Sequence, residues 1–165
     1  QALNLEMQAK VKAKEAAIPG EKIRLYWDGM PIWGRLRFFS DFFKNNYTNI
    51  VASTYCSSWI FDNLNGDDPL NSMALDYTKI FINRSEKAKE KMLAELARDF
   101  QVAGIIFHDS KTCPYNSNSR FGMPQRLQKK YTIPSLVIDG DLCDLRCFSE
   151  EQTKTSLESF LEQLQ

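Results

Sequence analysis

Two short runs, Val102–His108 (VAGIIFH) and Pro134–Asp139 (PSLVID), are apolar without the alternation expected of a strand that faces water on one side. A strand buried on both faces belongs to a parallel sheet covered by helices. No other feature restricts the chain so firmly, and the surrounding pattern agrees with it. Lys22–Trp27 (KIRLYW) reads as a strand closed by Asp28-Gly29, and Asn49–Tyr55 (NIVASTY) reads as a second. Between them Ile32, Trp33, Leu36, Phe39, Phe42 and Phe43 share one stripe of period 3.6, which predicts a helix over residues 32–45 with Leu36 and Phe39 largely buried. Leu70, Met73, Ala74, Tyr77, Ile80 and Phe81 keep the same spacing after Pro69, and a helix over residues 86–101 turns Met92, Leu93, Leu96 and Phe100 inward. In the last helix Ser149 and Gln152 form a capping box, and Glu150 and Glu151 suit its positive end. Leu157, Phe160, Leu161 and Leu164 then repeat at helical spacing, with Phe160 and Leu161 buried. Four strands, each followed by helical sequence, predict an α/β fold: an open, mostly parallel, flavodoxin-like sheet in the order 2-1-3-4, with helices on both faces.

A length of 165 residues predicts one domain that needs no disulfide or metal staple. Residues 1–17 are strong helix formers with a thin apolar stripe of Leu3, Leu5, Met7 and Val11, and Ile18-Pro19-Gly20 stops that helix. They read as a connecting helix from an upstream domain, leaving residues 18–165 as the α/β domain. Twenty-one Lys and Arg balance 21 Asp and Glu, which removes the electrostatic case for nucleic acid or an anionic membrane as partner. The longest clean apolar run, Val102–Phe107, is far too short to span a bilayer. Four cysteines are too sparse for a disulfide scaffold, so reduced thiols and a cytoplasmic location are expected.

Open α/β sheets bind ligands beyond the carboxyl ends of their strands, near the switch in strand order. Here that edge collects Asp28-Gly29, Thr54-Tyr55-Cys56, His108-Asp109 and Asp139-Gly140-Asp141-Leu142-Cys143. The segment His108–Gln125 (HDSKTCPYNSNSRFGMPQ) is long for a connection that usually takes about 2–6 residues, and such loops carry function. Asp28, Gly29, Tyr55, His108, Tyr115 and Asn116 are therefore expected to line one cleft. All four cysteines also fall at this edge. They are either metal ligands or small buried hydrophobes, and the polar loop around Cys113 gives that thiol no apolar reason to be there. His108 is read first as a hydrogen-bonded structural residue and second as a base. Asp28 and Asp109, at adjacent strand tips, suggest a phospho-acceptor site, but Asp28 lacks the acidic neighbour that such a site needs.

Four ordered segments carry a family resemblance: IPGEKIRLYWDGMPIW, VASTYCSSW, HDSKTCPYNSNSRFGMPQ and IPSLVIDGDLCDLRCFSEEQTKTSLESFLEQL. Over nearly all of residues 18–164 the chain resembles the C-terminal domain of the 2-hydroxyacyl-CoA dehydratase and benzoyl-CoA reductase family, and its TCPYNSNSRFGMPQ loop is most similar to a dehydratase α subunit. The resemblance implies a longer subunit holding a [4Fe–4S] cluster through three cysteines, of which Cys113 is one and two lie upstream, with no cluster in the isolated fragment and Cys113 exposed there. It also implies a second dehydratase subunit, an ATP-dependent iron–sulfur activator protein and an acyl-CoA substrate. The reaction so implied removes water from a 2-hydroxyacyl-CoA. One electron on the thioester carbonyl gives a ketyl radical anion, which expels the α-hydroxyl and makes the β-hydrogen acidic. The alternatives are a benzoyl-CoA reductase subunit and a non-catalytic α/β scaffold that shares only the fold.

Overall fold

The structure, a computed structural model, describes residues 1–117 and 120–165, and the side chains of Asn116 and Ser117 lie outside that description. Four strands, β1 (Ile23–Asp28), β2 (Thr48–Ser53), β3 (Gly104–Ser110) and β4 (Ser135–Gly140), form one parallel sheet in the order β2-β1-β3-β4. This is the order that the sequence pattern predicts. Successive residues of a strand point to opposite faces, and the two faces have separate cores. Leu25 and Trp27 of β1, Ile106 of β3 and Ile138 of β4 pack against α2 (Leu36–Asn45) and α8 (Glu150–Gln163), through Phe39, Phe42, Phe43, Leu157, Phe160 and Leu161. Tyr26 of β1 and Ile105 and Phe107 of β3 face α5 (Glu86–Asp99) and α7 (Met123–Tyr131), which supply Leu93, Ala97, Met123 and Leu127. The chain is thus doubly wound, and the strand order reverses between β1 and β3.

Burial of the strands follows their position in the sheet. Every residue of the central β3 is buried, whereas the edge strand β4 leaves Val137 exposed. The lack of alternation in PSLVID therefore does not mean burial on both faces. Ser149 caps α8 by accepting a hydrogen bond from the Gln152 N–H at 3.4 Å, and Ser85 caps α5 through Ala88 at 3.3 Å. On α5, Glu90 accepts from Arg126 and Lys130 of α7, each at 2.7 Å, and this ties the two helices of that face together.

Three apolar stripes behave differently from expectation. Leu36 is 49% exposed, because it stands at the start of α2 where the helix has only begun to reach the sheet. On α5, Leu93 is buried while Phe100 stands exposed at the C-terminal end. The helix after Pro69, α4 (Pro69–Lys79), is inverted. It exposes Leu70, Met73 and Tyr77 and buries Ser72 and Asp76. Asp76 accepts from the backbone N–H of Asn63 at 3.0 Å and from its side-chain amide, and Ser72 accepts from the N–H of Asn65 at 3.1 Å. The preceding loop claims the polar face of α4, and polar groups in a buried place must be hydrogen-bonded. The opening helix, α1 (Ala2–Ala13), buries no residue and presents Leu3, Leu5, Met7 and Val11 to solvent.

Candidate functional site

The carboxyl ends of the four strands, with the short helices α3 (Thr54–Ser57) and α6 (Pro114–Ser117), build one polar edge. At the switch point, β1 ends in Asp28 and turns through Gly29, whose φ of +99° is a conformation that favours glycine. A Cβ on Gly29 would also meet His108 Cβ at 3.4 Å, so the turn can lie directly on the end of β3. Asp28 is 2% exposed and accepts a hydrogen bond from the Thr54 hydroxyl, which in turn pairs with the Tyr26 hydroxyl at 3.1 Å. Since Thr54 donates to Asp28, the Tyr26 hydroxyl donates to Thr54. Burial pushes the Asp28 carboxyl up to about 6, against the lowering effect of Thr54, and burial likewise raises the Tyr26 hydroxyl.

His108 Nδ1 lies 2.6 Å from the Met30 carbonyl. A carbonyl only accepts, so Nδ1 carries the proton and Nε2 is left as an acceptor. Burial holds the imidazole below its ordinary pKa, and the neutral ring is the stable form. A Cβ on Gly140 would stand 2.9 Å from Nε2 and 2.6 Å from Ile32 Cδ1, so residue 140 has no room for a side chain. His108 therefore clamps the β1 turn to β3, which fits its structural reading.

Asp28, Gly29 and His108 do come together, as a buried floor. Tyr55 follows Thr54 and packs edge-on against Trp33 at a ring distance of 5.5 Å. Tyr115, on α6, is 74% exposed. The side chain of Asn116 lies outside the described residues. Beside this floor an apolar pocket of about 230 Å³ opens between α2 and the ends of β1 and β2, walled by Trp27, Phe39, Phe43 and Ile50 with Tyr55 and Cys56 among its lining. Among the described residues, no charged side chain lines it. Asp109 is paired with Arg120 and, at 2.9 Å, with Lys111, which also contacts Asp139. With Asp28 and Asp109 both buried and engaged, the described residues of this edge offer no phospho-acceptor pair.

A second cluster, over β3 and β4, is not singled out by the sequence pattern. Asp141 accepts from the Thr112 N–H at 2.8 Å and hydroxyl at 2.7 Å, and from the N–H groups of Cys143 and Asp144 at 3.3 and 3.2 Å. These bonds, the Thr112 hydroxyl first among them, hold its carboxyl well below the usual carboxylate range. Only the DGD run beside a long polar loop could have pointed to it. Cys113 follows Thr112 directly, its N–H donating to the Ser110 carbonyl at 3.4 Å. Cys113 is of intermediate exposure where an exposed residue is expected, while Cys56 and Cys143 are exposed and Cys147 is intermediate. Among the described residues no group of three or more His, Cys, Asp or Glu side chains is placed to hold a metal ion. No helix of the described residues is long and apolar enough to cross a membrane.

Residues 1–164 match the family model of the 2-hydroxyglutaryl-CoA dehydratase D-component. The chain belongs to that family. Curated relatives resemble it along almost its whole length. The lactoyl-CoA dehydratase α subunit of Anaerotignum propionicum is 29% identical over 161 residues, which cover 97% of this chain and 38% of the relative. A benzoyl-CoA reductase subunit of Thauera aromatica is 27% identical over 152 residues, covering 90% and 35%. The (R)-2-hydroxyglutaryl-CoA dehydratase α subunit of Acidaminococcus fermentans is 26% identical over 161 residues, covering 97% and 33%. The chain thus spans about a third of the length of these curated relatives. The family match takes in α1 as well as the four segments that carry the resemblance.

Proposed function

We propose that this chain is the cluster-supporting domain of a 2-hydroxyacyl-CoA dehydratase subunit, which eliminates water from (R)-2-hydroxyacyl-CoA to give 2-enoyl-CoA. The observation that carries the reading is the place of Cys113. This partly buried residue sits in the long loop after β3, on the edge where open α/β sheets bind ligands, within a chain that matches the dehydratase family over residues 1–164. The residues present fit one ligand of a [4Fe–4S] cluster, and the other two cysteines would come from an upstream part of the subunit. When bound, the cluster supplies an electron carrier and an open iron able to act as a Lewis acid.

This chain's own residues then have three tasks. Cys113 holds its corner of the cluster. The floor of Asp28, Thr54 and His108, packed and hydrogen-bonded, keeps the edge rigid and excludes water from beneath it. The uncharged pocket beside Trp27 and Tyr55 suits an apolar acyl chain better than a carboxylate-bearing one. The whole assembly adds a second dehydratase subunit and an ATP-dependent iron–sulfur activator protein, acts in the cytoplasm and does not engage nucleic acid.

The likeness to the benzoyl-CoA reductase of Thauera aromatica supports a second reading, a ring reductase subunit. An anaerobic assay of the full-length subunit with its partner and activator separates the two. The expected result is 2-enoyl-CoA from a 2-hydroxyacyl-CoA with an apolar side chain, faster than from the 2-hydroxyglutaryl ester. Reduction of benzoyl-CoA without any dehydration would establish the second reading, and inactivity on both with the cluster loaded would favour a scaffold.

A further inference from the structure

The two oxygens of the Asp141 carboxylate serve different loops. Oδ2 accepts from Ser110 Oγ at 3.4 Å, at the end of β3, and from Thr112 N at 2.8 Å and Thr112 Oγ1 at 2.7 Å in the segment that leaves it. Oδ1 accepts from Cys143 N at 3.3 Å and Asp144 N at 3.2 Å, both in the segment that leaves β4. Asp141 is itself only 3% exposed, whereas its donors Thr112 and Cys143 stand at the surface, so the carboxylate anchors two surface loops from beneath. A carboxylate has about four lone-pair directions and no proton to give, so it can gather the four donors of Thr112, Cys143 and Asp144, with Ser110 a longer fifth contact. Charge-assisted bonds to an ionised acceptor are also about twice as strong as neutral ones. Thr112 gives two of the five, and the next residue is Cys113.

We infer that Asp141 is the positioning residue for Cys113: one buried carboxylate joins the loops after β3 and β4 and fixes where the thiol stands on the carboxyl edge. The inference rests on the proposed ligand role of Cys113 for its meaning in the reaction, but the clamp itself stands on the hydrogen bonds. It explains why the loop after β3 can be long and polar yet present a cysteine at a defined place. Asp141 bonds the residue before Cys113 and not the thiol itself, so it acts by fixing the backbone from which the ligand projects, and ligands must be held close to their working geometry.

The test uses the full-length subunit carrying Asp141→Asn, which keeps the size of the side chain but turns one acceptor oxygen into a donor. Thr112→Val, which removes only the hydroxyl bond, is the milder variant should Asp141→Asn fail to fold. In the metal-free proteins, backbone amide exchange at Thr112, Cys143 and Asp144 is followed by mass spectrometry or NMR, and alkylation of each cysteine by peptide mapping. Iron per subunit is then measured after anaerobic reconstitution. Asp141→Asn should speed exchange at these amides by roughly tenfold or more, change the alkylation rate of Cys113 but not of Cys56, and lower iron retention. Thr112→Val should do the same to a smaller degree. Wild-type exchange at Thr112 together with wild-type alkylation of Cys113 would overturn the clamp. If the wild-type protein takes up no iron while the exchange and alkylation effects are present, the clamp holds and the cluster reading fails.

Discussion

Asp28 stands at the end of a hydrogen-bond chain that runs from the Tyr26 hydroxyl through Thr54, and it is buried. Its folded-state pKa of about 6 lies above the unfolded value of about 3.9, so the folded chain binds this proton more tightly than the unfolded one. Stability contributed by Asp28 is therefore complete below about pH 4 and is lost as pH rises through about 6. Asp28→Asn stays neutral and removes that slope. It should match the wild type near pH 4 and exceed it at pH 7.5 by up to about 3 kcal/mol, the value of a two-unit shift. Denaturant unfolding of both proteins at the two pH values checks this, and parallel pH curves would contradict it. Gly140 is the other residue with a sharp requirement. Gly140→Ala forces a methyl group against Ile32 and His108, which should cost about 1–3 kcal/mol and shift the His108 ring resonances in NMR spectra.

Helices α8, α2 and α4 show what a periodic apolar stripe does and does not reveal. In α8 the cap, the acidic first turn and the stripe agree, and Leu161 is 3% exposed. Leu161→Ala should cost about 2–5 kcal/mol, whereas Leu36→Ala, at the solvent-facing start of α2, should cost about 0.5 kcal/mol or less. Equal losses in thermal or denaturant unfolding would mean that the two sites are wrongly told apart. The stripe of α4 is equally legible, but spacing alone cannot say which side of a helix meets a neighbour. Asn63 and Asn65, outside the helix in sequence, decide it by bonding Asp76 and Ser72. Asp76→Ala should leave Asn63 without its acceptor, lower stability by about 1–3 kcal/mol and open residues 58–68 to limited proteolysis. No change in cleavage would show that Asp76 does not seat this helix.

For the molecule as a whole, the class and the strand order are legible in the sequence, because the apolar runs and the helical periods are local signals that a parallel sheet must satisfy. Cys113 is legible as a thiol in polar surroundings, and the ligand role proposed for it comes through resemblance alone. The clamp around it is not, since Asp141 and Thr112 are brought together only when β3 and β4 pair. His108 can be read from sequence as base or strut, and the Met30 carbonyl and the closeness of Gly140 give the strut its geometry. What joins these parts is the claim that the carboxyl edge holds one corner of an iron–sulfur cluster. Iron and acid-labile sulfide per subunit, measured on the anaerobically purified full-length protein and on its Cys113→Ala variant, test that claim most directly. The wild type should carry about four of each and the variant far less at unchanged folded yield, whereas full iron and sulfide in the folded variant would contradict it.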